Sequence, residues 1–310
     1  MKILVTGADG FVGKALCDAL HTRGLAAVRA VRTGGNGKVG VGNLSTTTNW
    51  QAALAGCDAV IHLAARVHVM NEQTHAPLAE FRAINVDATM NLARQAVAAG
   101  IRRFVFVSSV KVNGEETFGA PFTAFDVAAP QDAYGQSKWE AELGLRALAQ
   151  ETGLEVVIVR PPLVYGPGVR ANFLNLMRLV QTGLPLPLGA IHNRRSMVAL
   201  ENLVDLLILC CQHRQAAGQV FMVSDGHDVS MTELLRLLSG AMKRRLCLLP
   251  LPASIISGSA RLLGKSAVAS RLLGSLQVDI THTRNTLSWR PVATMQEALG
   301  KTAVHFLSHR

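Results

Sequence analysis

Short apolar runs alternate with longer amphipathic stretches along the first half of the chain. Runs of strand length, rich in β-branched residues, occupy residues 3–6, 27–31, 59–63, 104–107 and 156–159. Between them, residues 11–23, 78–99 and 134–152 space their apolar side chains at three and four, as amphipathic crossover helices do. This alternation predicts an α/β fold with a doubly wound parallel sheet, a Rossmann fold.

The pattern changes after Arg160. Prolines and glycines there predict loops, which precede a second stretch with a helical pattern. An apolar, strand-like run returns at residues 219–223. We therefore expect two interleaved domains rather than two joined by one linker. The larger comprises residues 1–165 and about 195–225, and the smaller, of α/β type, comprises 166–194 and 226–310.

Composition narrows the class of protein. Hydrophobic residues make up 49% of the chain and charged residues only 17%, which suits a buried parallel sheet. The formal charge of +10 is spread along the chain without a nucleic-acid-binding signature, so an anionic small molecule is the simpler partner. Five cysteines without a paired spacing, and histidines without ligand spacing, indicate neither disulfides nor a metal site. A reducing, cytoplasmic location is expected.

One apolar segment, residues 246–260, carries no charge and follows Lys243, Arg244 and Arg245. It is too short to span a bilayer and contains Pro250 and Pro252. We expect a core helix that covers the substrate site, with an interfacial membrane contact as the weaker alternative.

A glycine-rich turn lies between the first predicted strand and the first predicted helix, which is the context of a dinucleotide fingerprint. Its glycines allow a tight turn, the approach of a pyrophosphate to the helix N-terminus and close packing of helix on strand. The residues assigned to the cofactor here are Gly7, Asp9, Gly10, Phe11, Val12 and Gly13.

The end of the second predicted strand lacks the acidic residue that usually binds the adenosine ribose of NAD. The chain reads Arg29-Ala30-Val31-Arg32 at this place. A guanidinium at Arg32 suits a 2′-phosphate, so the sequence favours NADP(H), with NAD(H) as the alternative and a solvated Arg32 as the simpler explanation.

Three side chains form a candidate catalytic group. Ser109 follows a predicted strand, and Tyr134 and Lys138 lie one turn apart on a predicted helix. A tyrosine acts as a base near neutrality only when positive charge lowers its pKa, and Lys138 with a cationic nicotinamide ring would provide that charge. We expect Ser109 to hold the reacting oxygen. Taken alone, Tyr134 and Lys138 would also fit two neighbouring side chains on an exposed helix surface. A dinucleotide-binding sensor without catalytic activity is the remote alternative for the protein, because such sensors lose this pair and both residues are present here.

Together these motifs resemble the extended short-chain dehydrogenases/reductases of the nucleotide-sugar epimerase/dehydratase kind. The resemblance covers essentially the whole chain and rests on residues 6–13, 62–65, 108–109, 134–138 and 160–168. It implies Tyr134 as acid/base, Lys138 on the nicotinamide ribose and Ser109 on the substrate oxygen. The further cofactor contacts that it implies are Asn43, Leu44, Leu63, Ala64, Ala65 and Pro161.

Departures from the family pattern narrow the reaction. Val110 and Lys111 follow Ser109, where the dehydratase branch carries an Asp-Glu pair, so elimination lacks its acid and base. Two reactions at C4 of a UDP-sugar remain. Reduction of a UDP-4-keto-6-deoxy-N-acetylhexosamine is favoured by the missing acid after the second strand, and 4-epimerisation with tightly bound NAD is the alternative. Leu163 stands where galactose epimerases carry an Asn.

The resemblance also implies a substrate site and a homodimer. An amide at Asn172 and a guanidinium at Arg195 suit a pyrophosphate, although helix capping and a solvated loop explain these two residues about equally well. Residues 184–189 resemble a loop that packs a uracil base. The substrate contacts expected are Ser109, Lys111, Asn172, Leu188 and Arg195, in an enzyme of bacterial surface-polysaccharide synthesis.

Overall fold

The computed structural model describes residues 1–67, 77–262, 264 and 266–309. Within these residues, a parallel sheet runs in the order β3-β2-β1-β4-β5-β6-β9, and a separate parallel pair is formed by β7 and β8. The strands are β1 (Lys2–Thr6), β2 (Ala26–Val31), β3 (Lys38–Gly40), β4 (Ala59–His62), β5 (Arg103–Val107), β6 (Glu155–Arg160), β7 (Leu163–Tyr165), β8 (Met197–Ala199) and β9 (Val220–Met222). The predicted doubly wound sheet is confirmed.

The sheet is buried on both faces, which explains why its strands read as continuous apolar runs. Leu4 and Phe104 pack on one face, and Val5 and Val105 pack on the other. Helices cover both sides. They are α1 (Phe11–Thr22), α2 (Gln51–Leu54), α3 (Pro77–Arg82), α4 (Ala88–Ala98), α5 (Ala133–Thr152), α6 (Ala171–Thr182), α7 (Leu200–Gln212), α8 (Met231–Met242), α9 (Ala253–Leu262), α10 (Ser266–Leu273), α11 (Thr281–Leu287) and α12 (Met295–Ser308).

The strand order reverses at β1, which pairs with β2 on one side and with β4 on the other. In the register, Thr6 at the end of β1 lies opposite Ala30 of β2 and His62 of β4. Ligands of open α/β sheets bind in the crevice outside the carboxyl ends of the strands at such a reversal. The loops that follow β1, β2 and β4 therefore meet where a dinucleotide is expected.

The later part of the chain builds a second core and returns to the sheet. Side chains from α6, α8 and α12, with the β7–β8 pair, pack around Tyr165, Phe173 and Leu235. The strand β9 then pairs with β6 at the edge of the large sheet. We propose that this second core belongs to the smaller domain and keep the predicted bounds of both domains as part of that proposal.

The expectation of a core helix at residues 246–260 is wrong. The helix α9 begins only at Ala253, and from there to Ser259 every side chain is exposed except that of Ile256, which reaches the second core. The prolines at 250 and 252 keep the preceding residues extended along the loop at 186–190. Across the described ranges, no helix combines the length and the apolar character needed to cross a membrane.

Candidate active site

The turn between β1 and α1 has the geometry of a phosphate-binding loop. Gly7 has a φ of +64°, and a Cβ on Gly13 would stand 2.2 Å from the Gly7 carbonyl oxygen. Both positions therefore require glycine. At the N-cap of α1, Gly10 offers no side-chain cap, so the first backbone N–H groups of the helix are open to an anion. These residues fit the pyrophosphate of a dinucleotide.

A buried hydroxyl network holds the loop after β4. The Thr6 hydroxyl accepts the backbone N–H groups of Leu63 and Ala64, each at 3.1 Å, and lies 2.7 Å from Nδ1 of His62. With both lone pairs used, its proton must go to Nδ1, so His62 carries its own proton on Nε2, 2.9 Å from the Thr89 hydroxyl. Burial lowers the pKa of His62 to about 3, with help from Lys138. The neutral imidazole of His62 thus holds the Thr6 hydroxyl, and Thr6 in turn positions Leu63 and Ala64, two of the predicted cofactor contacts.

Asp9, which the sequence analysis assigned to the cofactor as part of the glycine turn, lies beside the strands β2 and β3. The Ala8 N–H donates to the Ala30 carbonyl at 3.3 Å, so the glycine turn lies against the carboxyl end of β2. The Asp9 carboxylate accepts a 2.7 Å hydrogen bond from Lys38 of β3, which lowers its pKa. Arg32 is exposed at the same edge.

The other predicted cofactor residues are distributed around this crevice. Asn43 is exposed, and Leu44 is half-buried against the core that includes Leu4. Ala65 continues the loop after β4, and Pro161 is buried, with its carbonyl accepting the Val110 N–H at 3.0 Å. This last bond ties the segment after β6 to the segment that carries Ser109.

The structure brings Ser109 and Tyr134 together, and the interaction of the two side chains favours the ionised form of the tyrosine. Ser109 caps a short 3-10 turn after β5, and its hydroxyl accepts the Lys111 N–H at 3.2 Å. Tyr134 lies in the first turn of α5, which is capped by Asp132. Burial, and then the charge of Asp132, raise the pKa of Tyr134 to about 12, opposed by Ser109. The expected lowering by Lys138 is therefore wrong for these side chains alone.

Lys138 is buried one turn after Tyr134. Its ammonium donates to the Val107 carbonyl at 2.8 Å and lies 4.5 Å from the centre of the Phe106 ring. Burial lowers the pKa of Lys138 to about 7, and the negative charge of Glu142 opposes this shift. The lysine is thus held at the carboxyl end of β5, beside the strand that leads to Ser109.

A buried ion pair behind these residues was missed by sequence reasoning. Arg160 donates to both carboxylate oxygens of Glu142, at 3.0 and 2.6 Å, and the Ser108 hydroxyl donates to the same carboxylate at 2.5 Å. Another Arg160 nitrogen donates to Asn113 at 3.0 Å. A signal existed, because Glu142 follows Lys138 by four residues and so shares its helix face. The network joins α5 to the ends of β5 and β6.

A π-helical segment, Ala83–Asp87, interrupts the predicted helix at 78–99 and turns Asn85 toward the site. Its amide donates to the Ser137 hydroxyl at 2.9 Å, and Ser137 donates to the Tyr134 carbonyl at 2.8 Å. The same side chain pairs with the backbone of Arg66. Asn85 therefore connects the loop after β4 to the turn that carries the tyrosine.

The predicted substrate residues differ in their surroundings. Lys111 pairs with Glu115 at 2.7 Å and with Asp132 at 2.5 Å. Arg195 is half-buried, donates to the Gly274 carbonyl at 2.9 Å and has its pKa lowered by burial, so a solvated loop is the wrong description of it. Glu115 and Glu116 oppose that shift. The structure thus places both Lys111 and Arg195 near the acidic residues Glu115 and Glu116.

The remaining substrate residues lie on the second core. Leu188 is buried there, and its carbonyl accepts the Thr232 hydroxyl at 2.6 Å. Asn172 is exposed in the first turn of α6, whose N-cap is Arg170, so it is not the helix cap. Within the described ranges, no cluster of three or more His, Cys, Asp or Glu side chains is placed to hold a metal ion.

A doubly wound parallel sheet with Ser109, Tyr134 and Lys138 beside its crevice is the arrangement expected of the nucleotide-sugar epimerase/dehydratase kind. The model of the NAD dependent epimerase/dehydratase family matches residues 3–224, and the chain belongs to this family. It is 48% identical to a UDP-glucose 4-epimerase of Vibrio cholerae, over 99% of this chain and 95% of the relative.

Two further comparisons span nearly the whole chain. An N-acetyl-α-D-glucosaminyl-diphospho-ditrans,octacis-undecaprenol 4-epimerase of Escherichia coli O157:H7 is 26% identical, over 99% of this chain and 96% of the relative. The crystal structure of UDP-glucuronic acid 4-epimerase from Bacillus cereus in complex with NAD superposes with a TM-score of 0.78 at 17% identity, covering 99% of both chains.

Proposed function

We propose that the protein is an NAD-dependent 4-epimerase of a UDP-hexose or a UDP-N-acetylhexosamine. The observation that carries this proposal is the proximity of Ser109 and Tyr134, with Lys138 one turn away, at the crevice of a doubly wound parallel sheet. The high identity to a UDP-glucose 4-epimerase over almost the entire length supports the same reaction.

The mechanism assigns one task to each side chain. Ser109 holds the C4 oxygen of the sugar, and Tyr134 removes the hydroxyl proton and later returns it. Lys138 binds the ribose beside the nicotinamide and keeps a positive charge near the tyrosine. Bound NAD would supply the acceptor for the hydride of C4 and the donor for its return. Epimerisation requires the 4-keto sugar to rotate between these two events, so the site must hold the diphosphate while leaving the sugar ring free.

NAD rather than NADP is proposed as the cofactor. Asp9 follows Ala8, whose N–H bonds to Ala30 near the carboxyl end of β2, and the Asp9 carboxylate is bonded to Lys38 of the neighbouring β3. A carboxylate is therefore available close to the place where NAD-binding proteins carry an acidic residue. A negative charge there repels a 2′-phosphate and accepts ribose hydroxyls. The earlier preference for NADP(H) rested on Arg32 and on the missing acid, and Asp9 offsets both arguments.

Reduction of a 4-keto sugar, favoured by the sequence analysis, receives no support from the relatives above, which are 4-epimerases. A reductase releases oxidised cofactor in each turnover, whereas an epimerase retains it. Whether the purified enzyme keeps a bound cofactor therefore distinguishes an epimerase from a reductase.

The experiment measures cofactor and turnover on the same preparation. We expect the purified protein to release close to one NAD per chain on denaturation and to interconvert the C4 epimers of UDP-glucose or UDP-N-acetylglucosamine without added cofactor. Tyr134→Phe should retain NAD and lose about 10²–10⁴-fold in kcat. Consumption of NADPH with a UDP-4-keto-6-deoxy-N-acetylhexosamine, with no epimerisation, would establish the reductase instead.

A lipid-linked sugar diphosphate is the second substrate class to include. The relative from E. coli O157:H7 is named for an undecaprenyl-diphosphate sugar, which shares the diphosphate and the C4 chemistry. The exposed apolar helix α9, adjacent to the loop at 186–190, is the structural observation that favours testing it. Epimerisation of the lipid-linked sugar but not of either UDP-sugar would assign the enzyme to this class.

A further inference from the structure

Lys and Arg occur along the whole chain, but the excess of positive over negative charge is uneven and is largest in one segment. No Asp or Glu occurs between Glu233 and Asp279, whereas the segment contains Arg236, Lys243, Arg244, Arg245, Arg261, Lys265 and Arg271. These seven cations compare with a net charge of +10 for the entire chain. This stretch therefore accounts for an excess of seven positive charges, which is most of the net charge of the chain.

Five of these cations are exposed and form no ion pair with any described carboxylate: Arg236, Lys243, Arg244, Arg245 and Arg261. Some exposed cations elsewhere are paired, since Arg23, Arg82 and Lys301 each lie 2.6 Å from a carboxylate oxygen, but the cations of this segment after Arg236 have no acidic residue near them in sequence. The positive charge of this segment is thus available to a partner outside the chain.

Large apolar side chains are exposed among these cations. Ile255 is 55% exposed and Leu262 is 90% exposed, and the two lie seven residues apart on one face of α9. Leu249 and Leu251, at 45% and 37%, precede the helix. We call these four residues, with Lys243, Arg244, Arg245 and Arg261, the α9 surface.

The α9 surface adjoins the substrate side of the enzyme. The Leu249 N–H donates to the Leu186 carbonyl at 2.8 Å, and the Leu249 carbonyl accepts the Gly189 N–H at 2.9 Å. These bonds attach the surface to the loop that carries Leu188. At the far end of α10, the Gly274 carbonyl accepts the Arg195 guanidinium.

We propose that the α9 surface docks the enzyme on a membrane that contains anionic lipid. Exposed apolar side chains rimmed by unpaired cations are the chemistry of a helix that lies in the lipid interface. Each basic residue near an anionic leaflet contributes by attraction to the headgroups. A second copy of the chain fits the surface poorly, because a two-fold interface would place the same unpaired cations against one another.

Co-sedimentation with vesicles tests the docking without turnover, so its outcome is independent of the proposed epimerase activity. The full chain is mixed with vesicles of phosphatidylcholine alone or with 30% phosphatidylglycerol, which is about the anionic fraction that attracts basic segments. We expect binding to the anionic vesicles and its loss in high salt. The triple variant K243Q/R244Q/R245Q should lower the partition coefficient by about 100-fold, at roughly fivefold per charge.

A second pair of variants tests the apolar part. Ile255→Ser with Leu262→Ser should release the protein from anionic vesicles, whereas Val292→Ser with Val304→Ser, which are 60% and 68% exposed and lie outside the α9 surface, should not. Thermal unfolding of each variant checks that it is folded. Equal binding of both double variants, no binding of the intact protein, or a dimer that only the Ile255/Leu262 variant dissociates would overturn the proposal.

Discussion

The proposed preference for NAD over NADP depends on Asp9. Replacing it by Ser removes a carboxylate from the place of the adenosine ribose and leaves Lys38 without its partner. We expect the ratio of the dissociation constants of NADP and NAD to fall by about tenfold or more, since one nearby charge contributes on the order of 1 kcal/mol or more. Isothermal titration with both cofactors measures this ratio. Asp18→Ser, at an exposed aspartate of α1, is the matched control, and an equal change in both variants would contradict the assignment.

Lys138 should make the stability of the protein depend on pH. Its pKa is about 7 in the folded chain and 10.5 ordinarily, so between these values the unfolded chain holds a proton that the folded chain has released. The free energy of unfolding therefore rises with pH between these two values. Below pH 7, Lys138 is charged in both states, and the cost of burying this charge is at its largest. Met at this position carries no such proton.

Lys138→Met should consequently gain stability relative to the intact protein at pH 6.5, and this gain should shrink by about 3–5 kcal/mol by pH 10. Urea unfolding of both proteins at the two pH values measures the difference. A difference that stays the same at both values would show that Lys138 is charged in the folded protein throughout.

At the scale of the element, the contact between β1 and α1 depends on the absence of a side chain. Gly13→Ala places a Cβ 2.2 Å from the Gly7 carbonyl oxygen and 2.8 Å from the Ala8 Cα, both backbone atoms that cannot move aside. We expect a loss of about 2–3 kcal/mol in the free energy of unfolding and the loss of NAD retention. Gly240→Ala in α8, where no atom lies within 4 Å of the new Cβ, should instead gain about 0.5–1 kcal/mol.

The helix α5 is joined to the sheet through a buried charge. Glu142→Gln leaves Arg160 with an uncompensated charge in a fully buried place, so we expect a destabilisation of about 3–5 kcal/mol. Glu140→Gln, two residues earlier on the same helix, breaks only the more exposed pair with Arg82 and should cost less than about 1 kcal/mol. Chemical denaturation compares the two variants. Similar losses in both would refute a special role for the buried pair.

The elements that the sequence predicts best are those whose signal is local. Strands such as β1 and β6 are buried on both faces and read as apolar runs, and the predicted bounds agree within two residues. The strand β3 was missed because its three residues stand between glycines and carry no pattern. The π-helical segment was also missed, since its cause is the bonding of Asn85 to Arg66 and Ser137, which are distant in sequence.

For the whole molecule, the grouping of Ser109, Tyr134 and Lys138 could be expected from the sequence because each lies in a recognisable local context, and their catalytic roles stay a prediction. The contact of the glycine turn with β2 and the bond of Asp9 to Lys38 could not be expected, because only the folded sheet defines them. The segment at 246–260 was misjudged for the opposite reason: its composition is apolar enough for a core, but no partner element covers it. Contacts between segments that are distant in sequence thus determine features that local sequence patterns do not predict.

The strand β9 joins the sheet only after the chain has left β6 at Arg160 and returned at Val220, about 60 residues later. On the ribosome, at about 5–20 residues per second, the nascent chain waits roughly 3–12 s with the edge of β6 that faces away from β5 unpaired. An open apolar edge of this kind recruits other strands. Translation products that stop before residue 220, including a fragment cut at the predicted boundary of 165, should therefore aggregate rather than fold into a free dinucleotide-binding unit.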